Sequence, residues 1–469
     1  MAALPKYPRL RSVETLVLPD PEHGRVLVLR DTHGIASGHA CIPPALVPIV
    51  ARFTGEHAHE QIARDASAET GVDISVELVR KLADELDEAL FLDSPTYHRA
   101  RANVERDFAT APIRKAAHAG GAYSNEAGDL RKYLDEKCLA RATTSIGELN
   151  GHGAHIVGLV APHIDPWRGA VGYGHAYGAL AARLPPEADT FIVFGTSHAP
   201  MREPFALCRK SFDTPLGTVS ADLEAIDELA SAAKFDPYAD QFNHKREHSL
   251  EFQVVFLKHL LGNKPVRIVP ILAGLGEHQA SGRDPAGDAV VESFLDATRS
   301  LVESRPGRTV VIAGADLAHV GPRFGDPSAM SDRERVHLEK TDRESLARAV
   351  ERDPSAFWHD VARDLDTRRV CGLAPIYALL KSLPTRTAPV KVKPRTTNGH
   401  AKQVRTRTRT PANGRAAAAG PNGFHAQVLH YEQTVDKDDG SIVSHAGVAF
   451  FGGDGASDAS DAGDAGDGE

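Results

Sequence analysis

The chain has 469 residues, of which 42% are hydrophobic and 25% are charged, an ordinary composition for a folded protein of two or three domains. Its net charge of −9 excludes a basic, nucleic-acid-binding character for the chain as a whole. Four cysteines are too few for a disulfide scaffold, and the start of the chain lacks an apolar signal region, so a reducing, cytoplasmic location is expected. No apolar run approaches about 18 residues, so no membrane span is expected.

The first segment, 8–95, is predicted to be a small domain. Two short β-type runs, at 13–18 and 25–29, precede three helical patterns, and Ser75 is a candidate N-cap for the third. Two strands and three short helices indicate a winged-helix-like module. Its third helix carries more acidic than basic side chains, which argues against reading DNA phosphates. Residues 96–112 are predicted to be a helical or loop linker.

The main domain is predicted to span 113–452. It contains short runs that are apolar throughout, which is typical of strands buried on both faces by helices. Helical patterns fall between them, one after the candidate capping pair Asp165-Pro166 and one from near Glu247. The predicted fold class is therefore α/β, with a helix-flanked sheet. The apolar runs, in chain order, are Ile156–Ala161, Thr190–Phe194, Val266–Leu272 and Thr309–Ala313.

Two segments break this pattern. Residues 383–424 carry nine Lys or Arg and no acid, and the tail 453–469 carries six acids and no base. Both are predicted to be disordered, because such compositions bury too little apolar surface. Their opposite charges could bring them together transiently, but two independent solvated segments are the simpler interpretation. The basic insertion could contact nucleic acid or acidic partners, though without specificity.

Polar, ligand-type residues follow three of the apolar runs, at the sheet edge where open α/β folds bind ligands. His163 follows the first run and His198 the second, while Asp316 and His319 follow the fourth. If the first two strands are parallel neighbours about 5 Å apart, the two histidines point into one pocket. The alternative for each histidine alone is a hydrogen-bonded residue at a strand end.

Cys371 is a candidate third donor. Two imidazoles and a thiolate suit a three-ligand site with an open position, and they favour iron, copper or zinc over magnesium or calcium. The donors lie 35 and 173 residues apart with no spacing signature, so the alternative for Cys371 is a small buried apolar residue.

Three further residues are candidates for moving protons. His248 is expected in the first turn of its helix, where the helix dipole favours a neutral imidazole that can act as a base. Asp316 and His319 could orient a ligand imidazole or move a proton. The alternatives are a solvent-facing histidine, a turn-capping aspartate and a packed histidine. His244 and His248 also fit the H-x-x-E-H pattern of some zinc proteases, but His244 is expected to precede the helix.

Together these motifs resemble the Memo-like family, and specifically the AmmeMemoRadiSam system protein B group. The resemblance covers about 113–452, and the preceding segment is similar to a winged-helix-like domain fused to some members. The stretches that carry it are Arg114–Tyr123, Ala161–Asp165, Phe194–His198, Phe212–Gly217, Glu247–Glu251, Ala315–His319 and Cys371–Ile376.

The resemblance implies a metalloprotein. The family is similar in fold to class III extradiol dioxygenases, which hold a non-haem iron with two His and a carboxylate. By this resemblance His163, His198 and Cys371 are metal ligands, with Asp316 and His319 lining the site. Iron or copper is the expected metal, with zinc also compatible. The expected chemistry is redox, dioxygenase-like and directed at a small or peptidyl substrate.

The family name implies radical-SAM and AMMECR-type proteins as partners. One departure concerns the first motif, which reads His-Ile-Asp-Pro-Trp-Arg-Gly from His163 where His-Ala-Gly-Tyr is commoner, so a different pocket floor is expected. Two alternatives stay open. The first is a non-catalytic peptide- or protein-binding module that keeps a vestigial pocket, and the second is a metal-buffering or assembly protein.

Overall fold

The computed structural model describes residues 6–142, 149, 154–363, 365–385 and 424–452. The chain divides into two compact units, one built from 1–117 with 241–247 and the other from 118–240 with 248–469. Most of the predicted basic insertion, and all of the predicted acidic tail, fall outside the described residues. Within the described part of the chain, no helix combines the length and the apolar character that crossing a bilayer would require.

The first unit opens with a three-stranded antiparallel sheet, formed in order by β1 (Glu14–Asp20), β2 (Gly24–Arg30) and β3 (His39–Ile42). The short strand β4 (Ile113–Arg114) comes near its end. The sequence predicts β1 and β2 but not β3, so the expected count of two strands was wrong. β3 has four residues and buries only Ile42, which leaves too short an apolar pattern to detect.

The described part of this unit also contains four α-helices: α1 (Val47–Val50), α2 (His59–Thr70), α3 (Val76–Glu88) and α4 (Pro95–Thr110). Ser75 caps α3 as predicted, by accepting a hydrogen bond from the Leu78 amide, and Ser94 caps α4 by accepting one from Tyr97. Most of the segment 96–112, predicted as a helical or loop linker, is helical.

The second unit is built around a nine-stranded sheet. The strands of this unit are β5 (His155–Ala161), β6 (Thr190–Thr196), β7 (Phe205–Leu207), β8 (Ser211–Phe212), β9 (Ser220–Ala221), β10 (Arg267–Ala273), β11 (Thr309–Gly314), β12 (Asp316–Val320), β13 (His425–Val435) and β14 (Ile442–Gly452). The main path of the sheet is β12-β14-β5-β11-β6-β10-β7, with β13 added beside β14 and β9 beside β10.

The four predicted strands, β5, β6, β10 and β11, form the parallel centre of the sheet. Every residue of β11 is buried, and so are the first six residues of β6. Continuous burial of this kind requires cover on both faces, which is what apolar runs without alternation predict. The α/β class with a helix-flanked sheet is therefore confirmed.

The expected neighbourhood of β5 and β6 was wrong, because β11 lies between them. Ala313 of β11 pairs with Val160 of β5 on one side and with Phe194 of β6 on the other. The ends of β5 and β6 are thus about 10 Å apart rather than about 5 Å. Residues that follow these strands can meet only across the end of β11, which is Gly314.

Nine α-helices belong to this unit, counted over the described residues: α5 (Ala127–Tyr133), α6 (Ala170–Arg183), α7 (Leu223–Ala232), α8 (His248–Leu261), α9 (Gly276–Ser281), α10 (Ala289–Ser304), α11 (Asp332–Val350), α12 (Pro354–Ala362) and α13 (Leu373–Ser382). Asp165 does not cap α6, contrary to prediction. The helix starts only at Ala170, and the Asp165 carboxylate accepts from the Arg168 amide at 3.0 Å, in the turn before it.

Helix α8 departs from the single apolar stripe that its sequence predicts. Its polar residues Ser249, Glu251 and Gln253 are buried along with the apolar ones. The helix packs against β6, β11 and α6, so it has partners on more than one side. Buried polar side chains in such a helix require hydrogen-bond partners, and Ser249 and Gln253 find theirs at the carboxyl edge of the sheet.

Candidate metal centre

Three separate elements bring the predicted ligands together at the carboxyl edge of the sheet. His163 follows β5, His198 follows β6, and Cys371 comes just before α13. One nitrogen of each histidine and the sulfur of Cys371 all lie within 4.8 Å of one another. The sequence separation of up to 208 residues is therefore closed by the fold.

The absence of a side chain at Gly314 lets helix α8 lie close to the end of β11, between the two histidines. A Cβ atom at Gly314 would lie 2.3 Å from the Ser249 carbonyl oxygen, so helix α8 approaches β11 closely at this point. His163 and His198, on either side, then reach each other with ring centroids 5.2 Å apart.

The ring of His163 is fixed by a backbone acceptor. Its Nδ1 lies 2.9 Å from the carbonyl oxygen of Gly314, which can only accept, so Nδ1 carries the proton. The lone pair of Nε2 then faces the Cys371 sulfur at 3.1 Å. This arrangement prepares Nε2 as a ligand, with the outer hydrogen bond that metal-binding histidines usually make.

Backbone carbonyls around the ligands are held by side chains from other elements. Thr196 Oγ1 donates to the Cys371 carbonyl at 2.8 Å, and Ser249 Oγ donates to the Thr196 carbonyl at 3.0 Å. Gln253 Nε2 donates to the Pro162 carbonyl, beside His163, at 2.8 Å. These bonds involve Cys371 itself and residues one or two positions from His163 and His198, so the three candidate ligands are held from several directions.

His248 lies against both candidate ligand histidines, at the first position of α8, within the first turn that the sequence predicts. Its ring centroid is 4.5 Å from that of His198 and 5.2 Å from that of His163. His198 is exposed and His163 is buried, so the three rings lead from solvent to the interior. His244 lies in the 3₁₀ turn Gln241–Lys245 rather than in α8, so the H-x-x-E-H pattern does not lie on one helix.

Asp316 and His319 lie on β12, which starts immediately after β11. Asp316 is 1% exposed, accepts from the His163 amide at 2.9 Å, and places its other oxygen 3.7 Å from His163 Nε2. Burial raises the pKa of Asp316 above its usual range. Burial also lowers the pKa of His319 to about 4, against the opposing charge of Asp316, so this imidazole is neutral at pH 7.

Sequence reasoning assigned no role to three residues beside the site. Glu251 is fully buried and accepts from the His118 amide at 2.9 Å and from the Tyr123 hydroxyl. The His118 ring packs edge-on against His248, with centroids 5.7 Å apart. A signal was present, since Glu251 is a lone acid among the apolar residues of α8.

The donor set determines which chemistry the site can support. Two neutral imidazoles and a thiol are ligands for iron, copper or zinc, whereas magnesium and calcium prefer oxygen. None of the three candidate donors, His163, His198 and Cys371, carries a permanent positive charge that would repel a bound cation. The residues at the site therefore fit a single transition-metal ion.

Comparison with known proteins places the chain among relatives. It matches the family of Memo-like proteins over residues 114–406. It is 26% identical to a MEMO1 family protein of Aquifex aeolicus over 67% of this chain and 79% of the relative. A MEMO1 family protein of Methanococcoides burtonii is 31% identical over 48% of this chain and 73% of the relative.

A solved structure of an uncharacterized protein from Escherichia coli K12 is similar with a TM-score of 0.33 and 12% identity, covering 63% of this chain and 99% of that chain. A score this low supports no statement about fold. The family match spans more than half of the chain, and it includes every residue of the three-ligand group. The chain therefore belongs to the Memo-like family.

Proposed function

We propose that this protein binds one transition-metal ion through His163, His198 and Cys371 and uses it for redox chemistry. The observation that carries the proposal is the approach of these three ligand atoms to within 4.8 Å of one another. The separation of 3.1 Å between Cys371 Sγ and His163 Nε2 is close to what two ligands of one ion need at usual bond lengths of about 2.0–2.3 Å.

Iron or copper is the proposed metal, with zinc as the alternative that the same donors would accept. Bound iron or copper would supply one-electron chemistry that no side chain here can perform. The protein holds His163 and His198 as neutral ligands, and the buried side of the site excludes water around His163. His198 is exposed, so a small or peptidyl substrate would enter from its side.

Proton movement is the role we propose for the residues around the ligands. His248 contacts both ligand rings and reaches towards solvent through His198. His319 is neutral at pH 7 and can accept a proton, while burial favours the protonated form of Asp316, which can donate one. These roles require no movement of the sheet.

Finer assignments belong to the same proposal. The motif resemblance supports the AmmeMemoRadiSam system protein B group, a dioxygenase-like arrangement of the metal domain and a winged-helix-like character for the first segment. It also supports a radical-SAM or AMMECR-type partner and a cytoplasmic setting. Isolation of the protein with a cluster-bearing partner would support the partner assignment, and would equally fit a role in metal buffering or assembly.

A second candidate function is peptide or protein binding without catalysis. The observation that favours it is Trp167, which is 43% exposed and follows His163 by four residues. Its ring packs edge-on against Tyr133 at 4.5 Å, and its Nε1 donates to the Gly121 carbonyl at 3.2 Å. An exposed indole that is fixed by its own contacts is suited to contact a peptide. This function predicts that peptide binding survives Cys371→Ser but not Trp167→Ala.

The metal proposal is tested by metal content after anaerobic purification. We expect close to one equivalent of iron or copper in the natural protein, and less than about 0.1 equivalent in His163→Ala and Cys371→Ser. His337→Ala, which changes an exposed histidine of α11, is the matched control and should keep the full content. Less than about 0.1 equivalent in the natural protein, unchanged by His163→Ala, would remove the proposal.

A further inference from the structure

The segment that carries Cys371 has an unusual backbone conformation. We call residues 365–371 the cysteine loop. Within it, Leu365, Asp366 and Arg369 have φ angles of +56°, +53° and +53°. This left-handed region is unfavourable for residues with a Cβ atom, and it persists only where surrounding contacts hold it. The position of Cys371 therefore depends on contacts made by the rest of the loop.

One set of contacts shapes the cysteine loop internally. The two carboxylate oxygens of Asp366 accept from the Val370 amide at 2.9 and 3.0 Å. Gln279 of α9 donates to the Asp366 carboxylate at 2.5 Å and to the Val370 carbonyl at 3.0 Å. These bonds close the turn, but they do not reach β12, where Asp316 and His319 lie. These bonds therefore do not fix the position of the cysteine loop relative to β12.

A second set of contacts connects the loop to helix α11 through a buried ion pair. Arg368 is 8% exposed and Asp342 is fully buried. Arg368 Nη1 lies 2.6 Å from Asp342 Oδ1, and its Nη2 donates to Ser345 Oγ at 3.1 Å. Two groups on one helix therefore hold both branches of one guanidinium, which fixes its orientation as well as its position.

Asp342 extends this connection to the sheet. Its Oδ2 accepts from Ser444 Oγ at 2.6 Å and from the Tyr431 hydroxyl at 3.0 Å. Ser444 Oγ in turn accepts from the amide of Ala318, between Asp316 and His319 on β12, at 2.9 Å. Burial raises the pKa of Asp342, while the hydrogen bonds from Ser444 and Tyr431 and the charge of Arg368 favour its carboxylate form. Through these contacts Asp342 joins the cysteine loop, α11, β13, β14 and β12.

The main chain of the loop runs beside β12. The His319 amide donates to the Arg368 carbonyl at 2.8 Å, and the Gly372 amide donates to the Asp316 carbonyl at 3.0 Å. A slip of one residue in this alignment would move Cys371 by about 3.3 Å. Since the Cys371 sulfur lies 3.1 Å from His163 Nε2, such a slip would remove the thiol from ligand distance.

We propose that Arg368 and Asp342 are positioning residues, whose ion pair holds the cysteine loop in register with β12 and thereby keeps the Cys371 thiol beside His163. A buried ion pair is a weak source of net stability, because desolvation offsets its attraction, and it is better suited to defining one arrangement among several. The inference deepens the proposed metal function, on which one of its two readouts rests.

The first readout is binding of cobalt(II) to the metal-free protein under anaerobic conditions. Cobalt(II) is the probe because a thiolate ligand gives it a near-ultraviolet charge-transfer band, whereas histidine ligands do not. We expect Arg368→Met to lower cobalt affinity by about tenfold or more and to remove most of this band per bound cobalt. Arg368→Lys keeps the positive charge but has a single ammonium group in place of the two guanidinium branches. It should therefore retain part of the cobalt affinity and part of the charge-transfer band.

The matched control is Arg305→Met. Arg305 is also a mostly buried arginine paired with a fully buried aspartate, Asp222, at 3.3 Å, but this pair lies beside Thr190 at the opposite end of β6. We expect Arg305→Met to leave the cobalt spectrum unchanged. Equal loss of the band in Arg305→Met and Arg368→Met, or an unchanged band in Arg368→Met, would overturn the proposal.

The second readout needs no metal. Hydrogen–deuterium exchange of the metal-free protein reports on the amides of Val370, Gly372 and His319, which are hydrogen-bonded in this arrangement. We expect about tenfold faster exchange at these amides in Arg368→Met, and no change there in Arg305→Met. Unchanged exchange in Arg368→Met would refute the positioning role.

The two readouts separate this inference from the proposed function. If the natural protein binds no cobalt but the exchange result holds, the metal function fails and the positioning role stands. If Arg368→Met does not fold, as judged by circular dichroism, Arg368→Lys decides. An unchanged cobalt band and unchanged exchange in that variant would contradict the proposal.

Discussion

Acidic side chains lie at both ends of the central sheet of the second unit, and Asp222 at one end and Asp316 at the other are buried, but the groups around them differ. At the amino end, Asp189 and Asp222 are met by three arginines, namely Arg267, Arg305 and Arg308. At the carboxyl end, Asp316 has histidines as neighbours, and its Oδ2 lies 3.7 Å from Nε2 of His163. The acids at the amino end are therefore paired with arginines, which are always charged. Asp316 at the carboxyl end has histidines as neighbours instead.

The pKa values follow this difference. Burial alone would raise the pKa of Asp189, but hydrogen bonds from Arg308 and Thr190 lower it below its usual value. For Asp316, burial dominates and the pKa is raised. Compensated charges of the first kind stabilise a fold, whereas perturbed groups without a fixed partner are typical of sites that bind or react. The comparison predicts stability effects at the amino end and binding effects at the carboxyl end.

The largest stability effect is expected for Asp222→Asn. Asp222 is 1% exposed, pairs with Arg305 and Arg267, and accepts from the Ala225 amide as the cap of α7. Asparagine keeps the cap but removes the charge, which leaves the two arginines without it. We expect the free energy of unfolding in urea to fall by about 3 kcal/mol, with metal content unchanged. If Asp222→Asn lost metal but kept its full stability, the amino end would affect binding rather than stability, which would contradict the comparison.

Much of this fold was predictable because its central strands are apolar without interruption. The runs that became β5, β6, β10 and β11 needed no tertiary information. β14 is just as buried, yet it escaped prediction because Ser444 and His445 interrupt its apolar pattern. Their burial depends on partners such as Asp342, which is 102 residues away in the sequence. The order of the strands was not predictable either, since no local pattern places β11 between β5 and β6.

The residue types of the candidate site were predictable, but its geometry was not. The positions of His163 and His198 just after apolar runs were a local signal. The approach of Cys371 was not predictable, because only the folded chain brings its loop close to the two histidines. The cap expected at Asp165 failed because its carboxylate is used one turn earlier, on Arg168. Glu251 was overlooked because a charged residue on a helix is usually exposed. Its position as the lone acid of α8 was a signal, but its contacts with His118 and Tyr123 form only in the folded chain.

The next effect is a pH dependence at the carboxyl end. The pKa of His319 in the folded protein is about 4, below the value of about 6.5 expected when unfolded, so the unfolded state binds the proton first. Stability from this residue is therefore present above pH 6.5 and is lost as pH falls towards 4. As pH falls from 7 towards 4, the free energy of unfolding of the metal-free protein decreases. We expect this decrease to be smaller in His319→Asn by on the order of 2 kcal/mol.

This pH dependence is measured by urea unfolding between pH 4 and pH 7. His337→Asn, at an exposed position on α11, is the control and should leave the slope of stability against pH unchanged. Identical slopes for His319→Asn and the natural protein would show that the imidazole is not held neutral by burial. Such a result would weaken its proposed role in accepting protons.

A smaller effect is expected for Asp316→Asn, which makes the sharpest contrast with Asp222→Asn. The raised pKa of Asp316 means that its ionisation costs stability as pH rises through the shifted value, and asparagine removes that cost. The amide oxygen can still accept from the His163 amide. We expect the stability of the metal-free variant at pH 7 to change by less than about 1 kcal/mol. A loss as large as that of Asp222→Asn would mean that the two ends do not differ.

The smallest effect is expected for Arg308→Met, at the solvent-facing side of the amino end. Arg308 pairs with Asp189, but its side chain is 48% exposed, so water and salt screen the attraction, and Asp189 keeps Arg267 as a second partner. We expect a loss of about 0.5 kcal/mol at low salt that disappears in about 1 M sodium chloride. Arg305→Met, measured alongside, should lose more and keep most of its loss in salt, because its partner Asp222 is buried. Equal and salt-sensitive losses in both variants would show that the amino end is held by screened surface charges rather than by buried pairs, and the contrast with the carboxyl end would then rest on Asp316 alone.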